Sequence, residues 1–527
     1  MGWAVSTELV DIALIVCYNS FDELQLSLFY IIIAIFEIGG LVMKTKQFLI
    51  TACMLLLLCA CQSPANTEDT ANDLPPENVE IETPASDSPT EEEPAALLPP
   101  APPACEIAFT ETESFPLPFE EELLVDEEEG ILLSAGQALY DYDTMWELLE
   151  ENYPYFDVIK EELGISSRVV KTQYRAKLVS LADDGYIAQR EFTNIIDSCM
   201  KEFLTVGHLY VISPAFRQTI LDSCQDSDRS IDQTIFELAN CGKVKTYYTC
   251  LEGIVEEVSE SSITDTAWQG PYSHMKTAKS ITRLIAPDIR AGYVDDIPYL
   301  SIPTFSGWTE DTYTGLSAFL CENSGRDHLI IDIRGNTGGS ELSWSQGIVT
   351  PLISEDQTWN MLVGVKTGTL NLAMIPFLDH PNDMFDVYQD DSWKIDFPLI
   401  ADNHFHHVDL LLKATKTIHA SDSTCASFKK IWVLIDEKCY SAADSFAYFC
   451  KKTGFATLVG TTTGGNGIGG QPTVMALPYS GLLILYDPYL SFNPDGTCNG
   501  ISGTTPDVVP MPGQMTLETC MQAILKE

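Results

Sequence analysis

The sequence predicts an α/β fold preceded by a helical N-terminal unit, and three observations carry that expectation. First, short apolar runs end in Gly- or Ser-containing turns and lead into helical patterns, as in HLIIDIRGNTGGS (from His328) and KIWVLIDEKCYSAADSFAYFCKKTG (from Lys430). Strands that are apolar on both faces are the kind that helices cover on both sides. Second, Phe192, Ile195, Ile196, Cys199, Met200 and Phe203 recur at helical spacing well upstream of those strands. Third, residues 62 to about 103 are dominated by Pro, Glu, Asp, Ser, Thr and Ala, too poor in large apolar residues to build a core.

Taken from the N-terminus, MKTKQFLITACMLLLLCACQ, beginning at Met43, reads as a signal peptide. Lys44 and Lys46 supply the positive end, and Phe48 to Leu58 supply an apolar run too short to span a bilayer comfortably. It ends in LCAC, similar to a bacterial lipobox, which marks Cys61 as the residue to be lipidated. Residues 1–42 are then a doubtful extension, read as upstream of the natural start at Met43, or alternatively as a membrane segment. Residues 43–61 form the lipoprotein signal, and 62–130 form an acidic disordered spacer. This predicts an extracytoplasmic protein of the bacterial cell envelope, held to the membrane through a lipid anchor.

Folded sequence begins near Ile131. TMWELLEENYPYF and Glu161 to Leu181 read as helices, the stripe from Phe192 to Phe203 as another, and HLYVIS (from His208) as a short strand. Residues 131–215 therefore form a helical domain. Residues 216–527 form the α/β core, with a poorly placed insert near 216–290. Within the core, YLSIPTF, HLIIDIRG, KIWVLID and ATLVG read as strands, and Thr309–Glu322 and the segment after Ser441 as helices.

The chain has 527 residues and a formal net charge of −47. No basic face of any size is possible, which excludes nucleic acid as a partner. From Ile131 onward the balance is 51 acidic to 27 basic residues, a net of −24. About half of the charge therefore lies ahead of the folded part. Eleven cysteines follow Cys61 without a CxxC pair or zinc-ligand spacing. One or two disulfides are compatible with that pattern, and no cofactor is indicated.

Two local features can carry chemistry. Ser441 follows a buried strand and a turn and opens a helix. Backbone amides and the helix dipole there favour negative charge, which suits a nucleophile whose carbonyl adduct becomes an oxyanion. A serine at that place also suits a plain N-cap. In IIDIRGNTGGS, Gly338 and Gly339 can aim backbone amides at a site, while Asp332 and Arg334 read as a structural pair.

Together with ALYDYDTMWELLEENYPYF, FLTVGHLYVIS, GTTTGGNGIGG and DGTCNGISGTTPDVVP, taken in order, these features resemble the C-terminal-processing (tail-specific) serine peptidase family, including its tricorn-core branch. The resemblance covers roughly Leu139 to Val509. It implies a ClpP/crotonase-like core of strand–strand–helix units and cleavage of peptides or unfolded proteins through an acyl-enzyme. It also implies Ser441 as nucleophile, with the Ala442 amide and a Gly338 or Gly339 amide as the oxyanion hole. The Lys-using branch carries its base 25 positions after the nucleophile, where this chain has Asn466. Asn cannot take a proton, so the resemblance points to the His-using branch and to His208 as general base. The Glu that usually orients that His is absent from CNGISGTTPD, leaving Asn499, Ser502 or Asp495 as substitutes and a weak or inactive enzyme as a possibility. The alternative is a non-catalytic ligand- or peptide-binding lipoprotein on the same fold.

Other motifs read as decoys. GNGIGG (from Gly465) fits a dinucleotide pattern but precedes a strand-like run. Ser180–Glu191 lacks the first acidic ligands of a calcium loop. HFHH (His404–His407) reads as an exposed loop. No segment between His208 and Asp295 reads as a PDZ domain.

Overall fold

The computed structural model describes residues 117–120, 123–126, 130–182, 185–225, 230–259, 281–374, 383–388, 390–400, 408–421 and 424–527. All of them lie in one compact unit spanning residues 101–527. The extension 1–42, the signal segment with Cys61, the acidic stretch up to residue 116 and the loop His404–His407 lie outside the described residues.

The first long helix, Ala135–Asn152, begins in a capping box. Ser134 and Gln137 exchange side-chain and backbone hydrogen bonds, satisfying amides that the first turn leaves orphaned. Tyr142, Met145, Trp146 and Leu149 lie on its buried face. Pro154 follows at once, and the chain re-enters helix at Phe156–Leu163. That helix stops at Gly164, whose φ of 72° suits glycine, and Ser167–Leu181 follows. Both helices expected here are therefore split, one by a proline and one by a left-handed glycine. Helix Gln189–Lys201 carries the predicted apolar stripe, and Phe192, Ile196, Cys199 and Met200 are buried.

Residues 216–290, left unplaced from the sequence, are largely helical: Pro214–Cys224, Ser230–Asn240 and Gly242–Ser259, then the strand Ile281–Leu284. The first of these helices had a readable start, because Ser213 caps the Phe216 amide and Pro214 stands in the first turn.

The α/β part is built on a six-stranded sheet. In spatial order its strands are Thr457–Gly460, Lys430–Ile435, His328–Asp332, Ile297–Ser301, Arg290–Val294 and Ile281–Leu284. The first four run parallel and the last two pairings are antiparallel. Alternate residues serve two cores. Leu329, Ile331, Val433 and Ile435 pack with Phe446 and Phe449 of the helix Ala442–Thr453. Ile330, Trp432 and Leu434 pack with Cys520 and Ile524 of the C-terminal helix Thr516–Ile524. Both faces are covered, which is why these strands read as unbroken apolar runs.

A four-stranded antiparallel sheet (Asp383–Val387, Leu410–Ile418, Gln357–Val365, Tyr489–Ser491) stands beside it. A smaller antiparallel sheet joins Thr473–Ala476, Leu483–Tyr486 and Tyr210–Val211. The last strand comes from the N-terminal region, and the two regions share one core. Trp146, Phe192 and Phe203 belong to the same apolar cluster as Leu362, Val474, Ile484 and Phe492. Polar bonds cross the same boundary. The Asp141 carboxylate accepts the Tyr479 and Ser480 amides at 2.7 Å each, and the Asn371 side chain donates to the Asn152 carbonyl at 2.7 Å. A disulfide, Cys321–Cys425, ties the end of helix Glu310–Glu322 to the segment before strand Lys430–Ile435. Among the described residues no helix is long and apolar enough to cross a membrane, and no His/Cys/Asp/Glu group is placed to hold a metal.

Candidate active site

Strand Lys430–Ile435 runs out at Asp436, and the turn that follows delivers Ser441 to the first position ahead of helix Ala442–Thr453. Ser441 has φ 55° and ψ −125°, a backbone region that a residue with a Cβ adopts only where its surroundings enforce it. The enforcing contacts are on both sides. Ser441 N donates to the Gly465 carbonyl at 2.9 Å, its carbonyl accepts Ser445 N at 2.8 Å, and Tyr440 N donates to the Asn336 carbonyl at 3.1 Å. The Ser441 side chain makes no capping hydrogen bond. The N-cap reading of this serine therefore fails, and its hydroxyl is held at a helix N-terminus without being used by the helix.

The Gly-rich turn after strand His328–Asp332 packs directly against it. A Cβ on Gly338 would stand 2.9 Å from Ser441 Cβ and 3.1 Å from Ala442 N, and Gly338 has φ 107°. A side chain here would collide with the serine itself. The Gly338 amide is taken, donating to Asn336 Oδ1 at 2.9 Å. The amides of Gly339 and Ala442 have no acceptor among the described residues. Of the two glycines, Gly339 is thus the one left with a free donor. Asp332 and Arg334 pair as read from the sequence, at 2.6 Å, and take no part in the site.

His208 arrives on a strained turn. Leu204, Thr205, Gly207 and His208 all have φ between 51° and 60°. Four pins hold it. Tyr153 Oη donates to the Val206 carbonyl at 2.6 Å, and Tyr440 Oη to the Thr205 carbonyl at 2.9 Å. Gly207 N donates to Asn466 Oδ1 at 2.6 Å, and its carbonyl accepts Asp487 N at 2.7 Å. Adjacent residues therefore secure both halves of the site: Gly465 holds Ser441 and Asn466 holds the His208 turn. The His208 ring packs edge-on against Tyr440, with centroids 5.0 Å apart, so it lies beside the residue preceding Ser441. His208 is 4% exposed, and neither ring nitrogen has a hydrogen-bond partner. The structure thus brings the two residues into one neighbourhood without a hydrogen bond between them.

Below the serine, Asp444 is fully buried and organises the loops around the site. It accepts from the Thr463 hydroxyl, from Gly467 N at 2.9 Å, from Asn499 Nδ2 at 2.9 Å and from Thr504 N at 3.2 Å. Burial pushes its pKa up, and those donors draw it back.

Two of the three substitutes named for the missing Glu are otherwise engaged. Asn499 bonds Asp444, Gly467 and Asn493, and Asp495 accepts from Thr497. No bond from Ser502 to His208 is present. The carboxylate beside His208 is instead Asp487, whose Oδ2 lies 3.8 Å from Nδ1. Sequence reasoning missed it, although a lone acid inside LLILYDPYLSF was a visible signal. GNGIGG forms the loop that carries Asn466 between strands Thr457–Gly460 and Thr473–Ala476, not a strand-to-helix turn.

Residues 296–509 match the model of Peptidase family S41. The likeness to that family lies within this segment. The S41 segment includes Ser441, Ala442, Gly338, Gly339 and Asp487 and begins well after His208. Solved structures similar to the chain include mature CPAF, at 14% identity over 74% of this chain and 96% of that one, with a TM-score of 0.44. A lipoprotein from Streptococcus agalactiae is 13% identical over 77% of this chain and 99% of that one, with a TM-score of 0.37. The photosystem II D1 C-terminal processing protease is 18% identical over 44% of this chain and 46% of that one, with a TM-score of 0.27. No curated protein matches the chain.

Proposed function

We propose that the protein is a serine endopeptidase that cleaves peptides or unfolded proteins through an acyl-enzyme. The observation that carries this reading is Ser441: a serine in enforced left-handed backbone, its side chain making no capping bond, at a helix N-terminus, next to the free Ala442 amide and packed against Gly338, whose neighbour Gly339 has a free amide. In this reading Ser441 Oγ attacks the scissile carbonyl, and its proton passes to His208 Nε2. The new oxyanion is held by the two amides. His208 then returns the proton to the leaving amine, and water reverses the sequence on the acyl-enzyme. The peptidase family S41 match over 296–509 supports the reaction class.

We also propose that the chain is a lipoprotein of the bacterial cell envelope, lipidated at Cys61 and set off from the membrane by its acidic stretch. The Cys321–Cys425 disulfide supports an oxidising compartment. Globomycin-sensitive processing and loss of membrane association in Cys61→Ala test this placement.

A fluorophosphonate probe tests the chemistry on the full chain. Labelling is expected in the wild type, none in Ser441→Ala, and labelling slowed by at least about 100-fold in His208→Ala. Labelling that persists in Ser441→Ala sinks the nucleophile assignment. One observation favours the binding-only reading, the unpartnered ring nitrogens of His208. That reading gains if the wild type neither labels nor cleaves an unfolded protein.

A further inference from the structure

We propose that Asp487 is the positioning acid of the site, aligning the His208 ring through Nδ1; this rests on the reading of His208 as the base. The argument begins with register. Strand Tyr210–Val211 pairs antiparallel with Leu483–Tyr486, matching Tyr210 to Leu485 and Val211 to Ile484. Continuing that register two residues beyond the strand ends sets His208 opposite Asp487. The actual bond is offset by one residue at this strained turn: Asp487 N donates to the Gly207 carbonyl, next to His208, at 2.7 Å. The backbone that carries the acid therefore holds the turn that carries the imidazole.

The side chains agree. Asp487 is 1% exposed, its Oδ1 accepts Tyr489 N at 2.9 Å, and its Oδ2 faces His208 Nδ1 at 3.8 Å. That separation is an ionic contact about 1 Å longer than a hydrogen bond. Both ring nitrogens of His208 lack partners, so a small closing movement satisfies Nδ1 and the carboxylate together. Tyr153, Tyr155, Tyr440, Tyr486 and Cys498 surround the pair, and burial holds each of them protonated far above neutral pH. Burial also raises the Asp487 pKa, and His208 is the partner that draws it down. A buried carboxylate without a counter-group would be costly, and His208 supplies that group. A proton held on Nδ1 by Asp487 leaves Nε2 as the acceptor for the serine proton. The acid so placed stands 46 positions after Ser441 in the chain, ahead of the CNGISG segment.

Two readouts test this. The first does not depend on activity: the His208 ring nitrogens are observed by NMR in full-length protein carrying 15N-labelled histidine, assigned with His208→Ala. In Asp487→Asn the ring is expected to lose its preference for the proton on Nδ1, because the carboxylate facing that nitrogen has gone. Unchanged ring-nitrogen shifts overturn the proposal. The second is a double-mutant cycle on probe acylation. Asp487→Asn is expected to slow acylation by about 100-fold or more in the wild type and to add nothing in His208→Ala. An equal loss in both backgrounds makes Asp487 merely structural and overturns the proposal. If Asp487→Asn does not fold, Asp487→Glu takes its place, with partial retention of rate and of the Nδ1–H preference expected and loss of both counting against the proposal. If the NMR shift appears while the wild type never labels, the pairing stands and the serine-nucleophile reading falls.

Discussion

Asn466 Oδ1 accepts the Gly207 amide at 2.6 Å, one residue ahead of His208. At the position where the Lys-using branch would carry its base, this chain has a structural clamp for the turn that carries His208. Asn466 also adopts φ 60°, which Asn tolerates better than most residues. Asn466→Lys is therefore expected to slow acylation at least about tenfold and to cost about 1–2 kcal/mol of stability, without creating a working Ser–Lys pair. Asn466→Asp keeps an acceptor and should lose less. Probe kinetics and urea melts on both variants check this, and a faster Lys variant would contradict it.

Gly338 gives a sharper steric prediction. An added Cβ would stand 2.8 Å from the Tyr440 carbonyl and 2.9 Å from Ser441 Cβ, at φ 107°. Gly338→Ala should cost about 1–3 kcal/mol and slow acylation by about 100-fold or more, because it displaces the serine and the oxyanion amides together. A variant that labels at the wild-type rate would show that this turn does not border the reacting atoms.

Asp141 makes folding pH-dependent far from the site. Burial raises its pKa to about 6 in the folded protein, against 3.8 as the ordinary value. Below the lower value both folded and unfolded chains hold the proton. Between the two, the unfolded chain releases it and the folded chain keeps it. The contribution of this group to stability is thus fully present at low pH and falls by ~3 kcal/mol as pH rises to about 6, then stays level. Asp141→Asn removes that loss. The unfolding free energies of wild type and variant, measured in urea from pH 4 to 7, should therefore diverge in favour of the variant. Parallel curves would contradict the assignment.

The Cys321–Cys425 bridge closes a loop with a sequence separation of 104. Replacing both cysteines by serine should lower stability by about 3–5 kcal/mol, the range expected for cross-linking a loop of that size. Denaturant unfolding with and without reductant checks it, and an insensitive wild type would argue against the bridge.

The sequence disclosed what depends on local pattern and concealed what depends on pairing between distant segments. The parallel strands were legible because both faces are covered, and helix Gln189–Lys201 because its stripe is strong. Ser441 and the Gly338–Gly339 turn were legible as strand-end features. The role of Asn466 was not, since its partner lies 259 positions away and Asn is unremarkable inside a Gly-rich loop. Asp487 was overlooked for a related reason: its significance appears only when Tyr210–Val211 pairs with Leu483–Tyr486. The splits at Pro154 and Gly164 follow from local chemistry and were open to a stricter reading of helix breakers.

The common core that joins the N-terminal helices to strands after residue 470 bears on how this chain can be cut and recombined. The family-matched stretch 296–509 contains Ser441, the Ala442 and Gly339 amides and Asp487, yet His208 stands outside it. That stretch is not a transplantable module. Grafted alone into another protein, it would carry an apolar face stripped of Trp146 and Phe192, and Ser441 without the His208 turn. Under the proposed mechanism, loss or exchange of the N-terminal region would remove His208 while keeping the central sheet.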